Sequence, residues 1–317
     1  MKRLAWITLL LAAPICAQTS ASISTTVDVN GNRVSNGPQI IQTKLPNGNQ
    51  TTETMQSING RMVPLERVET RVVRDDASGK VVERLIRRYD PQGNPTQPVK
   101  ETIEEQKRPD GSSTIQSTTY RGDINGNMQL SERSVTQSRK SDSSETTETV
   151  VQRPNINGGI ETMEKRNIVT TKAADGSYQQ ESNTYRRDAS GSFYTALRQT
   201  TEHTVKGSEA TDNTAEYEVG ASGQLQLHGQ TVSKTVKRPD GSSDVVVDVF
   251  GQNVPGTVSA PGGPLKLQEQ QIIQSTPGPN NSVTQTVSVR RPTVSDPNSL
   301  GPERQLSQTV CKGDCKP

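Results

Sequence analysis

The chain has 317 residues, and its 36 lysines and arginines nearly balance its 34 aspartates and glutamates, which gives a net charge of +2. Hydrophobic residues make up 28% of the chain and aromatic residues 3%, too few for an ordinary core in a protein of this length. The balanced, interspersed charge excludes the basic field that nucleic-acid binding needs. Arg, Glu and Gln on both faces of the predicted strands exclude a lipid-facing outer-membrane barrel.

Residues 1–17 have the features of a secretory signal peptide. Two basic residues precede an apolar run that ends near Ala17, a small residue suited to cleavage. Because the run is short and no later stretch approaches a membrane-spanning length, we expect no membrane span after its removal. A lipoprotein signal at Cys16 is the alternative, although Ile15 stands where that signal needs a small residue. We expect an exported protein that is secreted, periplasmic or on the cell surface.

Residues 18–250 form a repeat array. KRPDGSS at 107–113 recurs letter for letter at 237–243, and KAADGSY at 172–178 lies midway between the two copies. Two interleaved series of turn residues return every 32 to 33 residues, so each unit contains two turns and two intervening segments. The repeat-turn glycines are Gly111, Gly126, Gly176, Gly191, Gly223 and Gly241.

The segments between the turns favour β-strands, because they are rich in Thr, Val and Ile and are separated by Asp-Gly and Asn-Gly turns. We predict an all-β fold, an elongated antiparallel β-meander of about 16 strands built from 32–33-residue hairpin repeats, in a single layer or thinly packed. The backbone ladder and cross-strand pairs would stabilise it in place of a core. A sandwich or a wrapped sheet is the alternative geometry. Disorder is a further alternative, because the mean hydropathy is only -0.75.

An aromatic row keeps the same period. Tyr120, Tyr185 and Tyr217 each lie a few residues before a turn glycine, and Gln152 occupies the slot in between. If the three tyrosines share one face, they could stack on sugar rings. The row therefore indicates a polysaccharide-binding module as an alternative function.

Short motifs at these turns are similar to a known repeat family. YDPQGN at 89–94 resembles the YDxxGN motif of YD (RHS-type) repeats, and YRGDINGN at 120–127 and YRRDASGS at 185–192 are looser matches. In that family the motif marks hairpins of large secreted β-shells. The resemblance implies a secreted array of β-strands.

Two further motifs overlap these turns. RGD at 121–123 resembles the integrin-binding tripeptide, and DINGN at 123–127, like DVNGN at 28–32, resembles the start of a calcium loop. The distant bidentate glutamate of a calcium loop is missing. We interpret all three as hairpin turns and predict no metal site.

Residues 251–317 form a proline-rich C-terminal region. It contains a predicted strand pair, 265–273 with 282–291, and ends in CKGDCKP. We predict that Cys311 and Cys315 close a small disulfide loop in an oxidising compartment. Metal binding by the two cysteines is the alternative, but no histidine lies near them.

The sequence predicts no catalytic residue and no cofactor. His203 and His228 lie on separate predicted strands, and neither has a close Asp that would suggest a triad. We predict a non-enzymatic structural, adhesive or scaffolding protein of the bacterial envelope or cell surface, with a polysaccharide-binding module or a largely disordered exported spacer as alternatives. The expected partners are a second copy through strand edges, a polysaccharide or an envelope protein, and no nucleic acid.

Overall fold

A computed structural model describes residues 18–27, 33–34, 39–45, 47–58, 61–123, 125–220, 222–252, 263–279, 282–293, 296 and 299–312. For the strands before residue 35 and for Lys312 it describes the backbone. The predicted signal peptide at 1–17, the DVNGN motif at 28–32 and Cys315 lie outside the described residues.

The described residues form nineteen β-strands and no helix. The strands are β1 (Gln18–Val27), β2 (Arg33–Val34), β3 (Gln39–Lys44), β4 (Gln50–Ile58), β5 (Arg61–Asp76), β6 (Gly79–Arg88), β7 (Val99–Lys107), β8 (Ser113–Gly122), β9 (Met128–Lys140), β10 (Ser144–Pro154), β11 (Ile160–Lys172), β12 (Tyr178–Arg187), β13 (Phe193–Lys206), β14 (Glu209–Val219), β15 (Leu225–Lys237), β16 (Ser243–Gly251), β17 (Lys266–Gly278), β18 (Ser282–Arg290) and β19 (Arg304–Lys312).

All the strands belong to one antiparallel sheet. From β3 to β19 each strand pairs with the next one along the chain. The prediction of an all-β meander of hairpins is therefore confirmed. The nineteen described strands exceed the predicted number of about 16 by three.

The ladder also joins the two ends of the sheet. β1 pairs with β3 on one side and with β19 on the other, so that Ala21 lies opposite both Ile41 and Lys312. The sheet is thus a closed ring, the wrapped geometry that the sequence left open as an alternative. Closure removes the unpaired strand edges of a sheet. Self-association through strand edges would need the seam between β1 and β19 to open.

The register shows how strongly the strands tilt within this ring. Arg198 of β13 lies opposite Asn183 of β12, and Asn183 lies opposite Asn167 of β11. The residue of β11 that is equivalent to Arg198 in the preceding unit is Lys165, two residues before Asn167. The register therefore shifts by two residues over two strands. Two residues correspond to about 7 Å and two strand spacings to about 9.6 Å, so the tilt is about 35°. This lies at the lower end of the range for closed sheets, about 35 to 45°. Equivalent residues of successive repeats therefore form bands around the ring.

Most turns share one hydrogen-bond pattern. In the turn at 108–112, the Gly111 N–H donates to the Arg108 carbonyl at 3.0 Å, and the Arg108 N–H donates to the Ser112 carbonyl at 2.9 Å. This is a three-residue hairpin turn that needs a left-handed residue at its third position, and Gly111 has φ of 79°. The pattern recurs with glycines Gly48, Gly93, Gly126, Gly158, Gly176, Gly191, Gly223 and Gly241.

The turns at one end of the sheet alternate in length. Three-residue turns at Gly111, Gly176 and Gly241 alternate with two-residue turns at 77–78, 142–143 and 207–208. Equivalent turns of each kind are therefore separated by two of the predicted units. The full structural repeat is four strands, twice the unit that the glycine spacing predicts.

The sheet has almost no buried apolar core. Among the described residues, Val63 and Val289 are the buried hydrophobic side chains. Cross-strand pairs of the expected kinds are present instead, for example Thr136 with Thr149 at 2.9 Å and Arg153 with Glu132 at 2.8 Å. Each such pair is worth about 0.2 to 1 kcal/mol, so many small contributions replace one large one.

The C-terminal region adds strands to the same sheet. β17 pairs with β18, as the predicted strand pair requires, and β17 also continues the ladder from β16. The described part of the chain contains no helix with the length and hydropathy needed to cross a membrane.

Candidate functional site

The register assigns every strand residue to one of two faces, because residues opposite each other in a ladder project to the same side. Tyr217 is opposite Arg198, and Arg198 is opposite Asn183, two residues from Tyr185. Tyr185 is opposite Lys165 on β11, and the residues opposite each other from there through β10 and β9 lead to the face of β8 that carries Tyr120. We call the side that bears Tyr120, Tyr185 and Tyr217 the groove face. The side that bears Tyr178, His203 and Asp212 is the histidine face.

The three row tyrosines therefore share one face, and each faces a cation. Tyr120 is opposite Lys100, Tyr185 is opposite Lys165, and Tyr217 is opposite Arg198. A shift of register, typical of a β-bulge, occurs beside each tyrosine, between residues 119 and 120, 184 and 185, and 216 and 217. Bulges re-aim side chains and are common next to binding sites. Sequence reasoning missed these cations, although they recur with the period of the tyrosines.

A groove of about 660 Å³ lies next to two of the tyrosines on the groove face. Its wall crosses β11 to β14, and we call it the amide groove. The side chains that define it are Asn167, Gln179, Glu181, Asn183, Thr200 and Glu202. Sequence reasoning missed this cluster, because its members come from three strands and only the register brings them together.

Some side chains of the amide groove have hydrogen-bond partners within the protein, and others do not. Glu181 accepts hydrogen bonds from Asn183 Nδ2 at 2.8 Å and from the Arg198 guanidinium at 3.0 Å. These two donors hold the pKa of Glu181 below its usual value, so its carboxylate stays charged. Among the described residues, the Glu202 carboxylate has no hydrogen-bond or ion-pair partner, and Asn167 Oδ1 is buried without a donor.

A second groove of about 580 Å³ lies on the same face, across β4 to β7. We call it the ion-pair groove, after Arg67, Glu69, Glu83 and Lys100 in its lining. Arg67 Nε lies 3.1 Å from Glu69, and Lys100 Nζ lies 3.3 Å from Glu83. The lining also contains Arg71 and Arg84, so four cations face two carboxylates and the groove carries a net positive charge.

One expectation about the histidines is wrong. The sequence indicated no Asp near His203, yet His203 Nδ1 lies 2.7 Å from Asp212 Oδ1, and the ring stacks on Tyr178 with centroids 4.6 Å apart. The two-residue turn at 207–208 folds β14 back so that Asp212 lies directly opposite His203. His228 is more exposed, and its Nδ1 lies 3.9 Å from Glu218.

The predicted turn residues take positions that suit their types. All six predicted repeat-turn glycines have positive φ, the left-handed region that favours glycine. Asp123, the last residue of RGD, accepts hydrogen bonds from the N–H groups of Asn127 at 2.9 Å and Asn125 at 2.8 Å. These bonds lower the pKa of Asp123 and occupy its carboxylate within its own turn.

Two predicted sites involve cysteine or metal. Cys311 lies in β19, and Cys315 is outside the described residues, so their disulfide stays a prediction. Within the described ranges, no group of three His, Cys, Asp or Glu side chains comes together as a metal site requires.

Comparison with known proteins gives a likeness of fold. No family model matches the chain, and no curated protein matches it. Among solved structures, it is similar to the outer membrane protein opdK from Pseudomonas aeruginosa, with 10% identity over 93% of this chain and 97% of that chain and a TM-score of 0.58. A protein of unknown function from Bacteroides fragilis aligns over 48% of this chain and 92% of that chain, with 12% identity and a TM-score of 0.26.

Proposed function

We propose that this chain is an exported, non-enzymatic structural protein of the bacterial envelope, with a closed polar sheet that serves as a scaffold or an adhesive surface. The observation that carries the proposal is that both faces of the sheet bear charged and hydroxyl side chains. Arg67 and Lys100 lie on the groove face, and Glu66 and Arg88 pair across the histidine face at 3.0 Å. Such a ring keeps its shape through its ladder and leaves both faces open to water.

Two further observations support an envelope location. Residues 1–17 have the features of a signal peptide. The fold is similar to that of a protein whose name places it in the outer membrane. A continuous ladder of paired strands speaks against the alternative of a largely disordered spacer.

Cell fractionation tests this proposal. Full-length chain with a C-terminal epitope should reach the periplasmic or outer fraction, and a variant lacking residues 1–17 should stay in the cytoplasm. Deletion of the gene should weaken cell adhesion or resistance of the envelope to osmotic shock, and the full chain should restore it. A full-length chain that stays in the cytoplasm, or an unchanged envelope after deletion, would contradict the proposal.

Polysaccharide binding is the second candidate, and the shared face of the tyrosine row favours it. Tyr120, Tyr185 and Tyr217 present rings toward the same side at equivalent positions of their repeats. Replacing all three with alanine should abolish retention on an insoluble polysaccharide, while replacing them with phenylalanine should preserve it. Equal retention of the wild type and the alanine variant would exclude this role.

A further inference from the structure

The amide groove has the size and composition of a ligand site. Its volume of about 660 Å³ falls within the range of small-molecule sites, about 300 to 1,000 Å³. Asn167, Gln179 and Thr200 both donate and accept hydrogen bonds, and Glu181 and Glu202 accept them. This set matches a ligand that carries many hydroxyl groups, because each hydroxyl also both donates and accepts.

Several of these groups lack a partner within the protein. The Asn167 amide oxygen is buried out of reach of a ligand, but the amide nitrogen of the same side chain is not buried and has no acceptor among the described residues. In the described part of the chain, the Glu202 carboxylate and the Gln179 amide have no side-chain partner. The groove therefore presents hydrogen-bonding capacity that the fold does not use.

Two tyrosines border the groove. Tyr185 is two residues along β12 from Asn183, and Tyr217 is two residues along β14 from Ala215, both on the groove face. An aromatic ring beside polar side chains suits a sugar, which has an apolar ring face and polar edges. Tyr120 lies on the same face but four strands from Tyr185, outside this groove.

The charge of the groove limits the choice of ligand. Glu181 and Glu202 are both in its lining, which contains no lysine or arginine. Of the nearby cations, Arg198 is paired with Glu181. Lys165, opposite Tyr185, lies 4.5 Å from the centroid of the Phe193 ring. The two carboxylates of the lining therefore repel an acidic polymer. The charge thus favours an uncharged ligand.

We propose that the amide groove binds a neutral polysaccharide, with Tyr185 and Tyr217 stacking on its sugar rings and Asn167, Gln179 and Glu202 bonding its hydroxyl groups. This proposal rests on the polysaccharide-binding candidate and narrows it to one groove and one class of polymer.

Affinity electrophoresis of the mature chain tests the proposal. The gels contain neutral α-glucan, β-glucan, mannan or galactan, or the carboxymethylated form of each polymer. We expect at least one neutral polymer to retard the protein and its acidic form to bind at least ten-fold more weakly. Preference for an acidic polymer would overturn the groove assignment alone, and retardation by none of the polymers would overturn both this inference and the candidate on which it rests.

Single variants then locate the binding. Asn167→Ala, Glu202→Ala and Tyr185→Ala should each weaken binding at least ten-fold, and Tyr185→Phe should retain it. Tyr120→Ala is the matched control, because Tyr120 has the same slot and face but lies beside the ion-pair groove, opposite Lys100, and this variant should bind like the wild type. If Tyr120→Ala loses as much affinity as Tyr185→Ala, the whole row binds and the groove assignment falls. Circular dichroism confirms that each variant keeps its β signal, and a variant that loses it is replaced by the conservative change Asn167→Asp or Glu202→Gln.

Discussion

The amide groove and the ion-pair groove occupy the same face of the same sheet and have similar volumes, about 660 and 580 Å³. They differ in which of their side chains have partners within the protein. In the ion-pair groove, the Glu69 carboxylate forms ion pairs with Arg67 at 3.1 Å and with Arg87 at 3.0 Å. In the amide groove, the Glu202 carboxylate has no ion-pair partner among the described residues. Each groove also contains one buried polar atom without a hydrogen-bond partner, Arg67 Nε in the first and Asn167 Oδ1 in the second. The two grooves therefore differ in whether their carboxylates are paired.

The difference follows from which residues the register places opposite each other. Arg67 and Arg87 are directly opposite, where like charges destabilise a sheet, and Glu69 offsets their repulsion by pairing with both. Asn167 and Asn183 are directly opposite in the amide groove, and neither carries a charge that needs neutralising. The first arrangement pairs its carboxylates with cations, and the second leaves the Glu202 carboxylate for a ligand.

The largest expected effect comes from making the amide groove resemble the ion-pair groove. Glu202→Lys places an ammonium beside Glu181, a diagonal neighbour across β12 and β13, where the two can pair. We expect binding of the neutral polysaccharide to weaken at least ten-fold, or about 1.4 kcal/mol. Affinity electrophoresis measures the change, and Glu83→Lys in the ion-pair groove is the control that should leave binding unchanged. Wild-type affinity in Glu202→Lys would remove the distinction between the grooves.

The turns beside the two grooves should differ in their tolerance of a side chain. Gly176 precedes β12 with φ of 89°, and an added Cβ meets nothing within 4 Å, so Gly176→Ala should cost about 1 kcal/mol for the left-handed backbone alone. Gly48 precedes β4 with φ of 81°, and its Cβ would lie 3.1 Å from Val72 Cγ2, so Gly48→Ala should cost about 2 to 3 kcal/mol.

Urea unfolding followed by circular dichroism measures both free energies. Gly122→Ala is the control, because its Cβ would meet Pro98 at an ordinary 3.6 Å, and we expect a change within about 0.5 kcal/mol. Equal losses for Gly48→Ala and Gly176→Ala would show that packing against Val72 does not distinguish the two turns.

Removal of one carboxylate should affect stability more in the ion-pair groove than in the amide groove. Glu69→Ala removes the counter-ion that Arg67 and Arg87 share, while Arg67 keeps Glu53 at 3.4 Å. We expect a loss of about 1 kcal/mol, limited by solvent screening. Glu202→Ala breaks no ion pair among the described residues, and we expect a change within about 0.5 kcal/mol. In 1 M salt the Debye length falls to about 3 Å, so the Glu69→Ala loss should shrink. A loss that is independent of salt would argue against an electrostatic cause.

Local signals predicted much of this fold. The Asp-Gly and Asn-Gly turns, their period and the strands between them follow from short stretches of sequence, since a hairpin turn needs a left-handed residue at a defined place. The shared face of Tyr120, Tyr185 and Tyr217 follows from the same period. KRPDGSS and KAADGSY also mark the longer, four-strand repeat, but glycine spacing alone indicates two equal units, because turn length is set by hydrogen bonds that the spacing does not reveal.

Long-range register could not be predicted in this way. Ring closure depends on the pairing of β1 with β19, strands from opposite ends of the chain with no turn between them to indicate it. The contact between His203 and Asp212 depends on a two-residue turn, and a register slip of one residue would place them on opposite faces. The amide groove depends on the register of four strands at once.

The smallest expected effect is a loss of stability at acidic pH. It should be of equal size for the turns near the two grooves. Asp188 lies in a turn beside the amide-groove strands and accepts a hydrogen bond from Ser190 Oγ at 2.7 Å, and Asp90 follows β6 and accepts one from Asn94 Nδ2 at 3.0 Å. These bonds hold the pKa of each carboxyl below its ordinary value of 3.8. A lowered folded pKa adds stability that is complete well above pH 3.8 and is lost as the pH falls through the folded value.

The melting temperature should therefore fall between pH 5 and pH 3, and Asp90→Asn and Asp188→Asn should each reduce that fall by a similar small amount. Asn155 already occupies the equivalent position of another turn and accepts the corresponding N–H bonds at 3.0 and 2.9 Å, so an amide preserves the turn without the charge. Thermal unfolding by circular dichroism at each pH gives the values, with Asp142→Asn as a control, because Asp142 has no hydrogen-bond partner among the described residues. If only one of the two turn variants reduces the fall in melting temperature, the turns near the two grooves contribute differently to stability in acid. The grooves would then differ in their turns as well as in their side chains.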